Sequence, residues 1–484
     1  MTDRPTLPDH PRVRTGPVRT HADDEPISRD ELVDVYAIVE RPDPSTHMVG
    51  TELEKFGVRI PEGDGPLTPV DYADVAHVLA GLCDRFGWQP GPDRGPGGEI
   101  IELRRDGASI TLEPGGQFEL SGKPLHTIHE TCAEFTQHYR ELHEVSLPLR
   151  LSWFTAGFHP WATREQINWM PKGRYEVMRE FLPTRGGNGL DMMLRTCTVQ
   201  ANFDYTSERQ CGERLRLANA IAPVVCALFA DSPFVEGRDT GLRTARSTVW
   251  TDVDNARCGT PPFAWGGPAF SYEHYVDWVL DIPMFFVKRA GIYHRHHATF
   301  AEFMRDGYTT PAGEHIRATW FDWVLHLSTV FPEVRLKPFI EFRSADAVPS
   351  KYLCALPALL RGLLYDDDVG AQAWSLFEGF GPAERDQLWF DARHAAMAAP
   401  TLRQLAGELL ALARVALDRA DTRDEQGRTE SRFLDPLASL VTNGETPADV
   451  ALARVNAELG PGPWSGPAAQ RAFVRPFYFA GLEP

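Results

Sequence analysis

Carboxylates and amides recur at alternate positions along several segments of this chain. Glu52 and Glu54 do so in Gly50-Thr51-Glu52-Leu53-Glu54, Gln117 and Glu119 in the stretch from Leu112 to Ser121 that also holds Glu113, and Gln200 and Asn202 in the stretch from Leu190 to Asn202. A further glutamate opens Glu341-Phe342-Arg343-Ser344-Ala345-Asp346. Alternate residues of a strand point to one sheet face, so Glu52 with Glu54, or Gln200 with Asn202, would converge. If Glu52, Glu54, Glu113, Glu119 and Glu341 share one cleft, they repel one another and raise one another's pKa unless cations lie among them. An all-oxygen donor set suits magnesium or manganese, and no Cys/His cluster carries zinc spacing. A triphosphate would supply the remaining oxygens.

Arg195, Arg243, Arg246 and Arg343 sit in or beside the same segments. A guanidinium fork grips a carboxylate in bidentate fashion or neutralises a phosphoryl group in transfer, and it serves equally as a structural partner for a glutamate. Lys172, Arg174 and Tyr175 carry a weaker version of the signal. His294 and His296 share a strand face by spacing, but no third metal ligand lies nearby in sequence, so a surface loop is expected there. No GxSxG elbow supports serine hydrolysis. The aromatic residues Trp153, Phe154, Phe158, Trp161 and Trp169 read as core or pocket wall.

The elements that must position these groups alternate without a repeat. Residues 1–28 have too little apolar content to pack and are expected to form a flexible arm, followed by a short helix from Asp30 to Ile38. Tyr72–Phe86 and the long stretch from Pro124 to Val145 have helical periodicity, while Glu99–Leu103, Ser109–Leu112, Gln117–Leu120, Leu149–Phe154, Thr196–Phe203 and Pro338–Arg343 read as strands. Asp106-Gly107 is a hairpin signal and Pro114-Gly115-Gly116 a turn. Ser207 caps a helix running to about Phe229, with Pro223 expected to kink it. Residues 350–484 are rich in Leu, Ala and Arg at helical spacing. With no βαβ alternation, no GxGxxG and no Walker A sequence, the pattern predicts an α+β fold with a mainly antiparallel sheet, residues 29–484 forming a single catalytic domain.

The chain of 484 residues is 43% hydrophobic and 24% charged, an ordinary globular balance, and its net charge of -18 argues against nucleic-acid binding. No apolar run is long enough for a membrane span, and the first 28 residues lack the apolar stretch of a secretory signal, so a cytoplasmic protein without membrane or nucleic-acid partners is expected, as monomer or homodimer. Seven scattered cysteines without a CxxC pair read as reduced thiols, Cys211 and Cys226 as small core residues.

Taken together, the segments resemble the plant and proteobacterial type of glutamate–cysteine ligase, within the glutamine-synthetase-like carboxylate–amine ligases. Leu112–Ser121 is similar to that family's LEPGGQxELS element, Pro171–Tyr175 to its MPKGRY segment and Leu190–Asn202 to its LDMMLRTCTVQxN stretch; Trp250–Asp254 and Phe331–Lys337 also match family blocks. The resemblance runs from about Gly50 to Asp346 and continues through the helical C-terminal part. It implies a cupped, mainly antiparallel sheet with helices packed outside. It also implies ATP-dependent joining of the γ-carboxylate of L-glutamate to the amino group of L-cysteine through a γ-glutamyl phosphate.

Carried over by position, the resemblance makes Glu52, Glu54, Glu113 and Glu341 metal ligands, Glu54 and Arg343 catalytic, Lys172 and Arg343 ATP-binding, and Arg195, Arg246, Gln200 and Glu119 substrate-binding. A loop must close over the acyl phosphate, and the Gly-rich stretch from Arg185 to Gly189 is the candidate. Leu53 replaces the His that usually stands between the two glutamates, on the opposite strand face, and the His294 region departs from the family's pattern. A relative that glutamylates a different small amine is therefore the alternative.

Overall fold

The computed structural model describes residues 18–264 and 270–474. Its main sheet has eight strands: β1 (Val49–Leu53), β2 (Gln89–Pro90), β3 (Glu102–Arg105), β4 (Ala108–Leu112), β5 (Phe118–Ser121), β6 (Val199–Phe203), β7 (Val334–Leu336) and β8 (Ile340–Phe342). They lie in the order β7-β8-β6-β1-β5-β4-β3-β2, every pair antiparallel. The α+β class and the antiparallel sheet expected from the sequence are therefore present.

Register gives this sheet two unlike faces. Leu53 lies opposite Val199 on one side and Leu120 on the other, while Ile110, Leu103, Ala201, Phe203, Phe342 and Leu336 continue the same apolar face, all buried. The helix Ala355–Leu364 packs on β6 and β1, and Glu208–Leu228 packs on β7 and β8. Burying a side chain such as Leu or Phe stabilises by roughly 1.5–3 kcal/mol, so this face anchors the sheet. The side chains one step along each strand then necessarily form the other face, which is polar.

Local chemistry explains most boundaries. Asp106 and Gly107 both take positive φ, 51° and 87°, which a two-residue hairpin of the mirror-image type requires. The Ser207 hydroxyl caps its helix by accepting from the Gln210 amide, and that helix runs unbroken through Pro223. A side chain at Gly115 would run into the Leu194 carbonyl, so this glycine lets the turn before β5 approach the helix Gly189–Arg195 closely. From residue 350 to 474 every regular element is a helix.

Three expectations are corrected here. Residues 18–28 are held on the body: the His21 ring stacks on Trp320 at 4.3 Å, the Trp320 amide donates to the Glu25 carbonyl, and Pro26 bridges to Thr319. Residues 1–17 of the expected arm lie outside the described residues. Cys132 and Cys354 form a disulfide across 222 residues of sequence, a pairing that spacing could not suggest; Cys211 and Cys226 are buried thiols as expected. His294 lies in a hairpin, Ile292–Arg295 pairing with Phe286–Arg289, instead of a loop.

Leu53→Ala should lower stability by about 2–5 kcal/mol, because it opens a cavity at the centre of the apolar face without touching the polar one. A denaturant titration checks this, and an unchanged midpoint would contradict the facing inferred from the register.

Candidate active site

The polar face is built from facing residues on adjacent strands. Glu52 on β1 lies opposite Gln200 on β6 and Ser121 on β5; Asn202 lies between Gly50 and Glu341; Glu119 on β5 lies opposite Thr111 on β4. The Asn202 side-chain amide donates to Glu52 Oε1 at 3.1 Å, and the Thr111 hydroxyl donates to Glu119. Glu54, just past the end of β1, accepts from the Thr198 backbone N–H at 2.9 Å. Glu113 stands at the turn between β4 and β5, its amide bonded to the Gln117 carbonyl and its carbonyl to the Gly116 amide. Four of the five glutamates singled out by spacing thus lie on neighbouring strands and the turn that joins them.

Crowding like charges among protein atoms has the expected electrostatic result. Enclosure first, then Glu341 and Glu119, push the Glu52 carboxyl up to about 7 against the pull of Lys337 and the Asn202 amide. Glu54 is pushed well above the usual carboxylate range by enclosure and by Glu119 and Glu113, despite Arg246 and the Thr198 amide. Glu119 is raised by enclosure and Glu113, against the Thr111 hydroxyl and Lys172.

Glu341 behaves oppositely. Enclosure disfavours its ionisation, but Arg335, Lys337 and Arg343 outweigh that and hold it well below the usual range. Arg335 grips both its oxygens, Nε to Oε2 at 2.6 Å and Nη2 to Oε1 at 2.9 Å, while Lys337 Nζ reaches Oε1 at 2.8 Å and Arg343 Nη1 reaches Oε2 at 3.0 Å. Expected as a metal ligand, Glu341 has its charge already neutralised by three cations. Here it is the anchor of Arg343. Arg335 and Lys337 carry no signal of this role in the sequence, although Arg335 lies directly opposite Glu341 in the β7–β8 hairpin.

Arg343 also donates from Nη1 to Gln200 Oε1 at 2.7 Å. Arg246 donates from Nη2 to the Arg343 carbonyl at 2.9 Å, and the two arginines line one crevice with Trp250 and Glu333. Behind them Asp346 accepts from the Ser232 hydroxyl at 2.6 Å, the Thr244 hydroxyl at 2.9 Å and the Asp231 amide at 2.9 Å, with Arg246 Nη1 at 3.9 Å. The ExRxxD element therefore fixes both arginines through backbone and carboxylate contacts. Lys172 stands where Glu113 and Glu119 act on it electrostatically, with burial and Arg174 lowering its pKa. A neighbour that spacing does not single out is Lys55: fully buried, it donates to the Leu53 carbonyl at 2.9 Å, and burial pushes its ammonium down to about 7.

Arg195 is not available as the substrate-binding residue it was expected to be. Its Nε donates to Asp191 at 2.7 Å, its Nη1 to the Ala162 carbonyl at 3.2 Å and to Glu236 at 2.8 Å, and its guanidinium lies 4.8 Å from the Phe158 ring centre. Every edge of the fork is engaged, which makes it a structural clamp. Arg243 is likewise paired, to Asp449 at 2.6 Å. The Gly-rich stretch from Arg185 to Gly189 is pinned: Gly187 N donates to Asp252 Oδ2, Asn188 N donates to the Asp252 carbonyl, and a side chain at Gly186 would strike the same backbone. It is a packed junction and not a closing loop.

No group of three or more His, Cys, Asp or Glu side chains among the described residues is gathered as a preformed metal site. The donor chemistry nonetheless fits a hard dication. Glu52, Glu54 and Glu119 offer carboxylate oxygens that enclosure and neighbouring carboxylates push upward in pKa, and Asn202 Oδ1 is buried on the same face with no hydrogen-bond partner among the described residues.

The raised Glu52 carboxyl has a pH consequence. Between about 4.5 and about 7 the folded protein binds a proton that the unfolded chain has already lost, so this group's contribution to stability falls as pH rises through that window. Metal-free Glu52→Gln protein should melt higher than the parent at about pH 8, and its melting temperature should depend less on pH between about 5 and 8. Parallel pH profiles for the two proteins would contradict the assignment.

Comparison with known proteins gives the family. The family model for glutamate–cysteine ligase family 2 matches residues 48–473. The chain is 40% identical over 441 residues to the chloroplastic glutamate–cysteine ligase of Brassica juncea, covering 90% of this chain and 82% of that protein. It is equally 40% identical over 441 residues to the chloroplastic enzyme of Arabidopsis thaliana, covering 90% of this chain and 81% of that protein. The solved structure of a glutamate–cysteine ligase from Francisella tularensis in complex with AMP shares the fold at a TM-score of 0.50 and 14% identity, covering 92% of this chain and 90% of that one. The plant relatives are named as chloroplastic, which overturns the expectation of a cytoplasmic protein. With a family model spanning the sheet and the helical C-terminal part alike, and relatives matching over nine-tenths of its length, the chain belongs to glutamate–cysteine ligase family 2.

Proposed function

We propose that the polar sheet face joins the γ-carboxylate of L-glutamate to the amino group of L-cysteine at the expense of ATP, through a γ-glutamyl phosphate, giving ADP and phosphate. The observation that carries this reading is the placement of Arg343 and Arg246 against a row of oxygen ligands, Glu52, Glu54, Glu119 and Glu113, on one side of one sheet. Magnesium or manganese held by these carboxylates would offset charge on the transferring phosphoryl oxygens.

The protein's own part is positioning and electrostatics. Arg343, braced by Glu341 and Gln200, presents a fixed positive fork toward the phosphoryl group. Arg246, held at the Arg343 carbonyl and beside Asp346, is placed to take a substrate carboxylate. Lys172, across the face beside Glu113 and Glu119, supplies positive charge on the ATP side. The attacking amine must be neutral, and its proton passes to one of the face carboxylates in its ionised form, whose proton affinity enclosure has raised. Bracing both arginines before substrate arrives removes reorganisation from the transfer step.

ADP release should depend jointly on glutamate, cysteine and magnesium, and Arg343→Ala should lower kcat by about 10³-fold or more, as loss of a phosphoryl-stabilising arginine does elsewhere. A coupled ADP assay run over a panel of small amines checks both. Release without cysteine, or a stronger response to a non-thiol amine, would overturn the acceptor; an Arg343→Ala enzyme of normal kcat would overturn the mechanism.

A further inference from the structure

A second cavity, of about 400 Å³, opens on the far side of the Asp346 network, between the segments around Phe158 and Asp231 and the C-terminal helices. That volume lies in the range of small-molecule sites. Its deep walls are aromatic: Phe158, Phe234, Tyr352 and Phe473 line it and are all buried, Phe234 and Phe473 meeting at 4.8 Å between ring centres with their planes tilted by 49°. Lys351 stands exposed at the mouth, its Nζ 4.6 Å from the Tyr352 ring centre.

The buried acidic group lining this cavity is Asp231, only 5% exposed. Its amide is spent on Asp346, while its carboxyl atom Oδ2 has no hydrogen-bond partner among the described residues. Burial and the neighbouring Asp346 push this carboxyl well above the usual range, with Arg454 and Lys351 pulling the other way. A buried carboxyl without a partner is costly, and a donor supplied by a ligand relieves it.

We propose that this cavity binds a free aromatic α-amino acid as its zwitterion, ring among Phe158, Phe234 and Phe473, ammonium on Asp231 and carboxylate toward Lys351. Each part of the ligand is set by a different wall. A purely apolar molecule would leave Asp231 unpaired. A simple amine would satisfy Asp231 but bring a second positive charge toward Lys351 with no carboxylate to meet it. A simple carboxylate would suit Lys351 and leave Asp231 Oδ2 without a charged donor. The zwitterion satisfies both ends, and its ring matches the aromatic lining by edge-to-face contact.

Calorimetric titration of the full-length protein with L-phenylalanine, phenethylamine and 3-phenylpropanoate tests the assignment. Phenylalanine should bind saturably, with each truncated analogue at least about tenfold weaker, the loss of one charge-assisted contact. Binding should persist in saturating L-glutamate and L-cysteine, because the cavity is not the ligase site. Asp231→Asn and the surface variant Lys351→Gln should each weaken it by a similar factor, with Lys351→Gln deciding if Asp231→Asn does not fold. Absence of saturable heat up to about 10 mM phenylalanine, displacement by glutamate, or an analogue binding as tightly as phenylalanine would each overturn the proposal.

Discussion

A strand can bury one set of alternate side chains only by presenting the other set together, and in this sheet the presented set is acidic. Leu53, Leu120, Val199 and Phe342 go to the helices, so Glu52, Glu119, Gln200 and Glu341 are placed on the opposite face with no freedom to separate. The protein offsets part of the resulting repulsion itself. Arg335, Lys337 and Arg343 surround Glu341, Asn202 and Thr111 donate to Glu52 and Glu119, and a backbone amide meets Glu54. The uncompensated remainder lies around Glu52, Glu54 and Glu119, where raised pKa values record it.

The arginines divide along the same line. Arg195 and Arg257 are closed off by carboxylates, carbonyls and aromatic rings, and they hold the helix Gly189–Arg195 and the segment around Asp254 in place. Arg343 and Arg246 are braced from behind but line a shared crevice. Asp346 carries the second brace, and its carboxylate accepts from the Ser232 hydroxyl and the Asp231 amide, which also line the aromatic cavity. One buried carboxylate thus links the arginine crevice to the second cavity.

Much of this architecture is legible in the amino-acid sequence alone. Period-two spacing locates Glu52, Gln200 and Asn202 on one face, and the Asp106-Gly107 turn and the Ser207 cap follow from local rules that tertiary packing does not override. The helix Tyr72–Phe86 follows the apolar periodicity residue for residue. What spacing cannot reveal are choices made across the fold. Arg195 looks the same in sequence as Arg246, and only Asp191, Glu236 and Phe158 distinguish them. Glu341 looks like its fellow glutamates until the register of β7 places Arg335 opposite it. The Arg185–Gly189 glycines have the composition of a mobile loop, yet they are there to let Asp252 come close. Residues 18–28 are polar, but one ring stack and two backbone bonds hold them.

If the like-charged face is what a dication completes, its binding must strip protons from carboxylates that enclosure has kept protonated. Titrating the protein with magnesium at about pH 7, in two buffers of different ionisation heat, measures that release directly. A net loss of protons on binding, reduced in Glu52→Gln, is the predicted result. Magnesium binding with no proton release, or release unaffected by Glu52→Gln, would contradict the account.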